Sequence, residues 1–126
     1  MSYELSVEKV LFNRIVIIGL GLIGASIALA AKKRKLCQEV IGLNRQLSTL
    51  MSAKETGVID TAIEDLSEIS SDLNGNDLIL ICVPTLEFES VLSECRRLLR
   101  DCVTITDVCS VKGYTVETAR AVYGFE

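Results

Sequence analysis

The sequence contains no histidine and no tryptophan, one proline, and aromatic residues at only 5% of its 126 positions. The lack of histidine removes the side chain most used as a general base and as a metal ligand. No two of the five cysteines stand in a C-x-x-C spacing, so no metal site is expected. The scarcity of aromatics leaves no base-stacking surface. Acidic residues outnumber basic ones by 17 to 13, a net charge of −4, which argues against a basic face for nucleic acid.

What is present is a globular composition, 49% hydrophobic and 24% charged, on a chain long enough for one core and no more. Residues 1–13 read as a lead-in of mixed character and 14–126 as one domain. Three of the cysteines lie in or beside apolar runs: Cys82 in Leu78–Val83, Cys102 before Val103–Ile105 and Cys109 after Val108. They, with Cys37 and Cys95, read as small buried hydrophobes in a reducing compartment, which points to the cytoplasm.

From Ile15 to Ala31 no residue is charged, and Lys32-Lys33-Arg34-Lys35 follows. A membrane span would be longer. A signal peptide would be preceded by a basic segment, whereas Glu4 and Glu8 accompany Lys9 and Arg14 here. The run is β-branched at its start and alanine-rich at its end, with three glycines between, so it reads as a strand turning into a helix. No membrane partner is expected.

Arg14–Ile18 has the apolar, β-branched character of a parallel strand covered on both faces. Leu22–Lys35 reads as a helix with a basic end that suits its dipole. Val40–Leu43 reads as a second strand, Leu47–Glu55 as a second helix stopped at Gly57, and Val58–Ile63 as a region holding a brief third strand. Glu64–Leu73 reads as a short helix before the polar turn Asn74-Gly75-Asn76-Asp77. Leu78–Val83 is an unbroken apolar strand ended by Pro84. In Leu86–Leu99 the residues Phe88, Val91, Leu92, Cys95, Leu98 and Leu99 recur at helical spacing. Val103–Thr106 is the last strand, and a further helix is expected from Gly113. This alternation predicts an α/β fold with a doubly wound parallel sheet.

Gly19-Leu20-Gly21-Leu22-Ile23-Gly24 follows the first strand and opens the first helix. G-x-G-x-x-G alone is weak, but in that context, with a polar residue about twenty positions on at the end of the next strand, it is a dinucleotide-binding signature of the Rossmann type. Gly19 permits the tight turn, Gly21 lets a pyrophosphate approach the backbone, and Gly24 lets helix pack on strand. The N–H groups of the helix start would face the phosphates. At the second strand's end stand Asn44 and Arg45, with Ser48 a turn further on. A carboxylate there would bind the ribose 2′-hydroxyl of NAD and repel a 2′-phosphate. A neutral amide and a guanidinium instead favour NADP over NAD. Two more strand ends should line the same crevice: Cys82-Val83-Pro84-Thr85, and Asp107-Val108-Cys109-Ser110-Val111-Lys112. Ser110 could equally cap the last helix, and Lys112 could be a solvated charge.

Four segments together resemble the prephenate/arogenate dehydrogenase family: Ile17-Ile18-Gly19-Leu20-Gly21-Leu22-Ile23-Gly24-Ala25-Ser26, then Gly57-Val58-Ile59-Asp60, then Val83-Pro84, then Thr106-Asp107-Val108-Cys109-Ser110-Val111-Lys112. The order and intervals agree from about Arg14 to the end of the chain. The resemblance implies an oxidoreductase of tyrosine biosynthesis, in which prephenate or arogenate loses hydride to NAD or NADP and loses CO₂. It implies that Ser110 sits near the nicotinamide and orients the family's catalytic histidine; Lys112 matches a family position without an evident role. The family continues into a G-H-P-x-A-G segment that carries the histidine, then into a helical domain with substrate contacts and the homodimer interface. This sequence stops short of both, so the expectation is a cofactor domain that binds dinucleotide but does not turn over alone. The competing expectations are the cofactor domain of a 3-hydroxyacid-type dehydrogenase and a nucleotide sensor without chemistry; the fold alone does not choose among them.

Overall fold

A computed structural model describes residues 10–108 and Val122. Within it, consecutive apolar residues, many of them β-branched, build a parallel sheet whose two faces are both buried. β1 (Phe12–Ile18) lies at the centre, and the five strands run in the order β3-β2-β1-β4-β5. β2 is Cys37–Leu43, β3 Thr61–Ile63, β4 Asp77–Ile81 and β5 Thr104–Asp107, all paired in parallel. The helices that link them are α1 (Leu22–Lys33), α2 (Leu47–Glu55) and α3 (Thr85–Leu98).

Side chains alternate across a strand, so β1 divides between two cores. Ile15 and Ile17 join Val40 of β2 beneath Ala28 and Ala31 of α1 and Leu50 and Ala53 of α2. Val16 and Ile18 join Ile79 and Ile81 of β4 on the other face, beneath Phe88, Leu92 and Cys95 of α3. Each such fully buried Ile or Val contributes about 1.5–3 kcal/mol over an exposed one. The crossovers after β1 and β2 therefore cover one face, and the crossover after β4 covers the other. That change of side between β1 and β4 is what opens a crevice at the strands' carboxyl ends. Among the described residues no helix is long and apolar enough to cross a membrane.

Apart from segment 64–73, the described strands and helices lie where their sequence patterns put them, with shifted ends. β1 begins two residues into the expected lead-in, because Phe12 pairs with Cys37 in a β2 that itself starts earlier than its apolar run. α1 stops at Lys33, and Lys35 takes φ 54°, which turns the chain back toward β2. Glu64–Leu73 is not a helix beyond the 3-10 turn Leu66–Glu68. Asp65 caps that turn through the Ser67 N–H and Glu68 reaches back to the Asp65 N–H, while successive short-range bonds (Ile69 to Leu66, Asp72 to Ile69) replace a helical ladder. Of the cysteines, Cys95 is buried, Cys37 and Cys82 half-buried, and Cys102 exposed, since the turn before β5 directs it outward. Burial pushes the Cys95 thiol up to about 12, so it behaves as a small apolar group. Cys109 and the helix expected from Gly113 lie outside the described residues.

The end of the sheet opposite the crevice is tied by one charged cluster. Asp77 is fully buried and accepts bonds from the Arg14 backbone N–H (3.1 Å), from Arg14 Nε (3.1 Å) and Nη2 (2.9 Å), and from the Asn74 N–H (2.9 Å). The bond to Asp77 holds the Arg14 pKa above its already high ordinary value. Asp60 plays a lesser, half-exposed part: burial pushes its carboxyl up, but Lys32 at 2.7 Å and the Val40 N–H outweigh that and hold it below the ordinary value. Replacing Asp77 by alanine strands the Arg14 charge and two backbone donors. Urea denaturation of Asp77→Ala should show a loss of about 3–5 kcal/mol, with the isosteric Asp77→Asn losing less.

Candidate functional site

Where β1 ends, the chain must reverse into α1 within three residues, and two glycines make that turn possible. Gly19 has φ +100°, and a Cβ there would stand 2.6 Å from the Cys82 carbonyl oxygen. A Cβ on Gly24 would stand 2.0 Å from the Gly19 carbonyl oxygen, so the first turn of α1 lies directly on the end of β1. Both residues are demanded by the protein's own packing.

Gly21 is different. A Cβ built on it meets nothing within 4 Å, and its φ of −70° is one that any residue adopts. The fold does not require glycine at this position. Around it, the N–H groups of Gly21, Leu22, Ile23 and Gly24 have no partner among the described residues, and no side chain caps α1. There is no acidic residue in the helix's first turn. The dipole's positive end and its unpaired donors therefore face open space, an arrangement that suits an anion.

That space is a crevice of about 990 Å³ at the carboxyl ends of the strands. Of the residues singled out from sequence, Gly19, Gly21, Leu22, Ile23, Asn44, Arg45, Val83, Pro84, Thr85 and Val108 line it together. Three do not. Gly24 lies behind the loop in contact with Gly19. Leu20 is buried in the core, and its N–H is taken by Asn44 Oδ1 at 2.8 Å. Ser48 faces a separate groove between α1 and α2, because the first turn of α2 carries it past the rim. Ser110 and Lys112 lie outside the described residues; Asp107 ends β5 on the crevice side of the sheet.

Asn44 does not stand free at the rim as its sequence position suggested. Its Oδ1 accepts from Leu20 and its Nδ2 donates to the Gln46 carbonyl at 3.2 Å, so the carboxamide ties the end of β2 to the glycine loop. Arg45 is likewise engaged: its Nη1 lies 2.8 Å from Glu87 Oε1. Glu87 went unnoticed in the sequence, where it reads only as a favourable acid in the first turn of α3. Cys82, which begins the strand end expected at the crevice, lines it. Burial, and secondarily the Asp107 carboxylate, pushes its thiol up to about 11, so it presents a neutral surface and no nucleophile.

The family model described as prephenate dehydrogenase, nucleotide-binding domain, matches residues 27–125. A curated prephenate dehydrogenase of Lactococcus lactis subsp. cremoris (strain MG1363) is 34% identical over 112 residues, which cover 88% of this chain and 30% of the relative. The chain thus spans just under a third of that relative's length. Among solved structures, the prephenate dehydrogenase from A. aeolicus in complex with hydroxyphenyl propionate and NAD+ is similar with a TM-score of 0.80 at 21% identity, over 90% of this chain and 39% of that one. Glycerol-3-phosphate dehydrogenase from Coxiella burnetii gives 0.72 at 20% identity, over 91% and 39%. At these identities the two structures share the fold.

The contrast between the glycines is directly measurable. Gly24→Ala should destabilise the chain by about 2–3 kcal/mol or more, because the methyl group meets backbone that cannot move aside. Gly21→Ala should leave the unfolding free energy from urea denaturation within about 0.5 kcal/mol of wild type, as for an open surface position.

Proposed function

Because the chain belongs to the prephenate dehydrogenase nucleotide-binding domain family, we propose that its crevice takes up a nicotinamide dinucleotide, as the cofactor module of a prephenate or arogenate dehydrogenase. The observation that carries this reading is Gly21: a glycine that the fold does not need, set among four unpaired amides. A bare Cα at that point is accounted for by a ligand that must come within van der Waals contact of the backbone, and the donors and the dipole define that ligand's contacting group as anionic.

In this reading the pyrophosphate lies on the N–H groups of Gly21, Leu22 and Ile23. Leu20 contributes no donor, its N–H being held by Asn44, but its buried side chain fixes the loop. The adenosine half lies toward Asn44 and Arg45, and the nicotinamide half toward Val83, Pro84, Thr85 and Val108. NADP is favoured over NAD, because the end of β2 offers a guanidinium and no carboxylate of its own. When bound, the nicotinamide supplies the hydride acceptor. The chain's part is to orient it, and the half-buried Cys82 and Val83 keep water from its inner side. Ser110, three residues beyond the end of β5, is the group we assign to orienting the family's catalytic histidine.

No histidine occurs in these 126 residues. We therefore assign turnover to a longer protein, in which a G-H-P-x-A-G segment would supply the histidine, and a helical domain the contacts to prephenate or arogenate and a homodimer interface. Its place in tyrosine biosynthesis, in the cytoplasm, follows from that assignment; the four described cysteines, all free, suit a reducing compartment.

Calorimetric titration of the 126-residue chain with NAD and with NADP tests the reading. The wild type should bind at least one of them, and Gly21→Ala should weaken that binding by about tenfold or more while its stability holds. The reading falls if neither cofactor binds, or if Gly21→Ala binds as tightly as wild type.

A further inference from the structure

Among the described residues that line the crevice there is one cation, Arg45, and one anion, Glu87. They come from opposite sides of it, 42 positions apart in sequence, and their Nη1 and Oε1 atoms lie 2.8 Å from each other. The other polar group at the end of β2, the Asn44 carboxamide, is committed at both ends to backbone. Recognition of a 2′-phosphate at this strand end therefore falls to Arg45, and Arg45 already has a carboxylate.

We propose that Glu87 is a specificity-determining residue: it competes with the 2′-phosphate of NADP for the Arg45 guanidinium and so reduces the discrimination between NADP and NAD. This rests on the dinucleotide reading above. The 2′-hydroxyl of NAD is neutral and needs no counter-ion, so its binding does not require the ion pair to part. The 2′-phosphate of NADP is anionic, and it must replace one anionic partner of Arg45 by another. The Arg45 side chain is 83% exposed and that of Glu87 30%, so the pair is solvent-screened and weak enough to exchange. Glu87 acts through Arg45 and is a positioning residue, not a contact to the cofactor's reacting atoms.

A local role is the rival explanation, since Glu87 lies in the first turn of α3 where its charge complements the helix dipole. Such a role would alter stability, or binding of both cofactors alike, and would leave their ratio where it was. The test is the ratio of NAD to NADP dissociation constants, measured by titration on wild type, Glu87→Gln, Arg45→Ala and the double variant. Glu87→Gln should shift the ratio toward NADP by about threefold to fivefold, the size of an exposed ion pair. In the Arg45→Ala background the same substitution should leave the ratio within about twofold, because its target is gone. An unchanged ratio in the single variant overturns the proposal. So does an equal shift with Arg45 absent, which would mean that Glu87 repels the phosphate directly. Failure of the wild type to bind either cofactor is a different result, and it removes the dinucleotide reading together with this one.

Discussion

The close seating of the first turn of α1 on the end of β1 is the constraint from which the rest of the site follows. Gly24 has no room for a methyl group against the Gly19 carbonyl, and Gly19 has none against the Cys82 backbone. With those contacts made, the helix begins at the sheet's edge instead of a residue or two above it. The N–H groups of Gly21, Leu22 and Ile23 then have no partner among the described residues and stand at the crevice. An unpaired donor is tolerated where water or a ligand reaches it, and the mouth of the sheet is such a place.

The two ends of the sheet divide the work. At the amino end, the fully buried Asp77 gathers the partly buried Arg14 guanidinium, the start of β1 and the Asn74 turn into one paired cluster. Nothing is left open there to receive a ligand. At the carboxyl end, donors stay unpaired and a crevice stays open. The hydrophobic middle, two cores separated by one sheet, holds the ends in fixed relation. A loop set on so rigid a frame can keep its amides aimed without spending side-chain interactions on them.

Asn44 shows how a rim residue is drawn into the frame. Its carboxamide extends the tie between β2 and the glycine loop one residue beyond the bond from the Gly19 N–H to the Leu43 carbonyl, and the side chain is no longer available for a ligand. That shifts the electrostatic decision at the adenosine end to the next residue, Arg45, and through it to α3 on the far side of the crevice. The balance of charge at the rim is thus a property of two crossovers and not of one strand end.

Most of the architecture was legible in the residues. β-branched runs marked β1 and β4, the apolar stripe Phe88, Leu92, Cys95 marked the buried side of α3, and the spaced glycines marked the turn. These follow from local periodicity and from steric demands that a few neighbouring residues carry by themselves. The segment 64–73 was misjudged because its apolar residues recur at near-helical spacing, while Asp65 and Glu68 settle the backbone into a capped 3-10 turn. What only the tertiary structure decided were the partnerships across elements: Asn44 with the Leu20 amide, Arg45 with Glu87, Ser48 turned to another groove, and Gly21 left without a neighbour. A sequence states which groups can bond or need space. Which of them meet depends on distances between strands and helices far apart in the chain, and those are set when the sheet twists and the helices pack upon it.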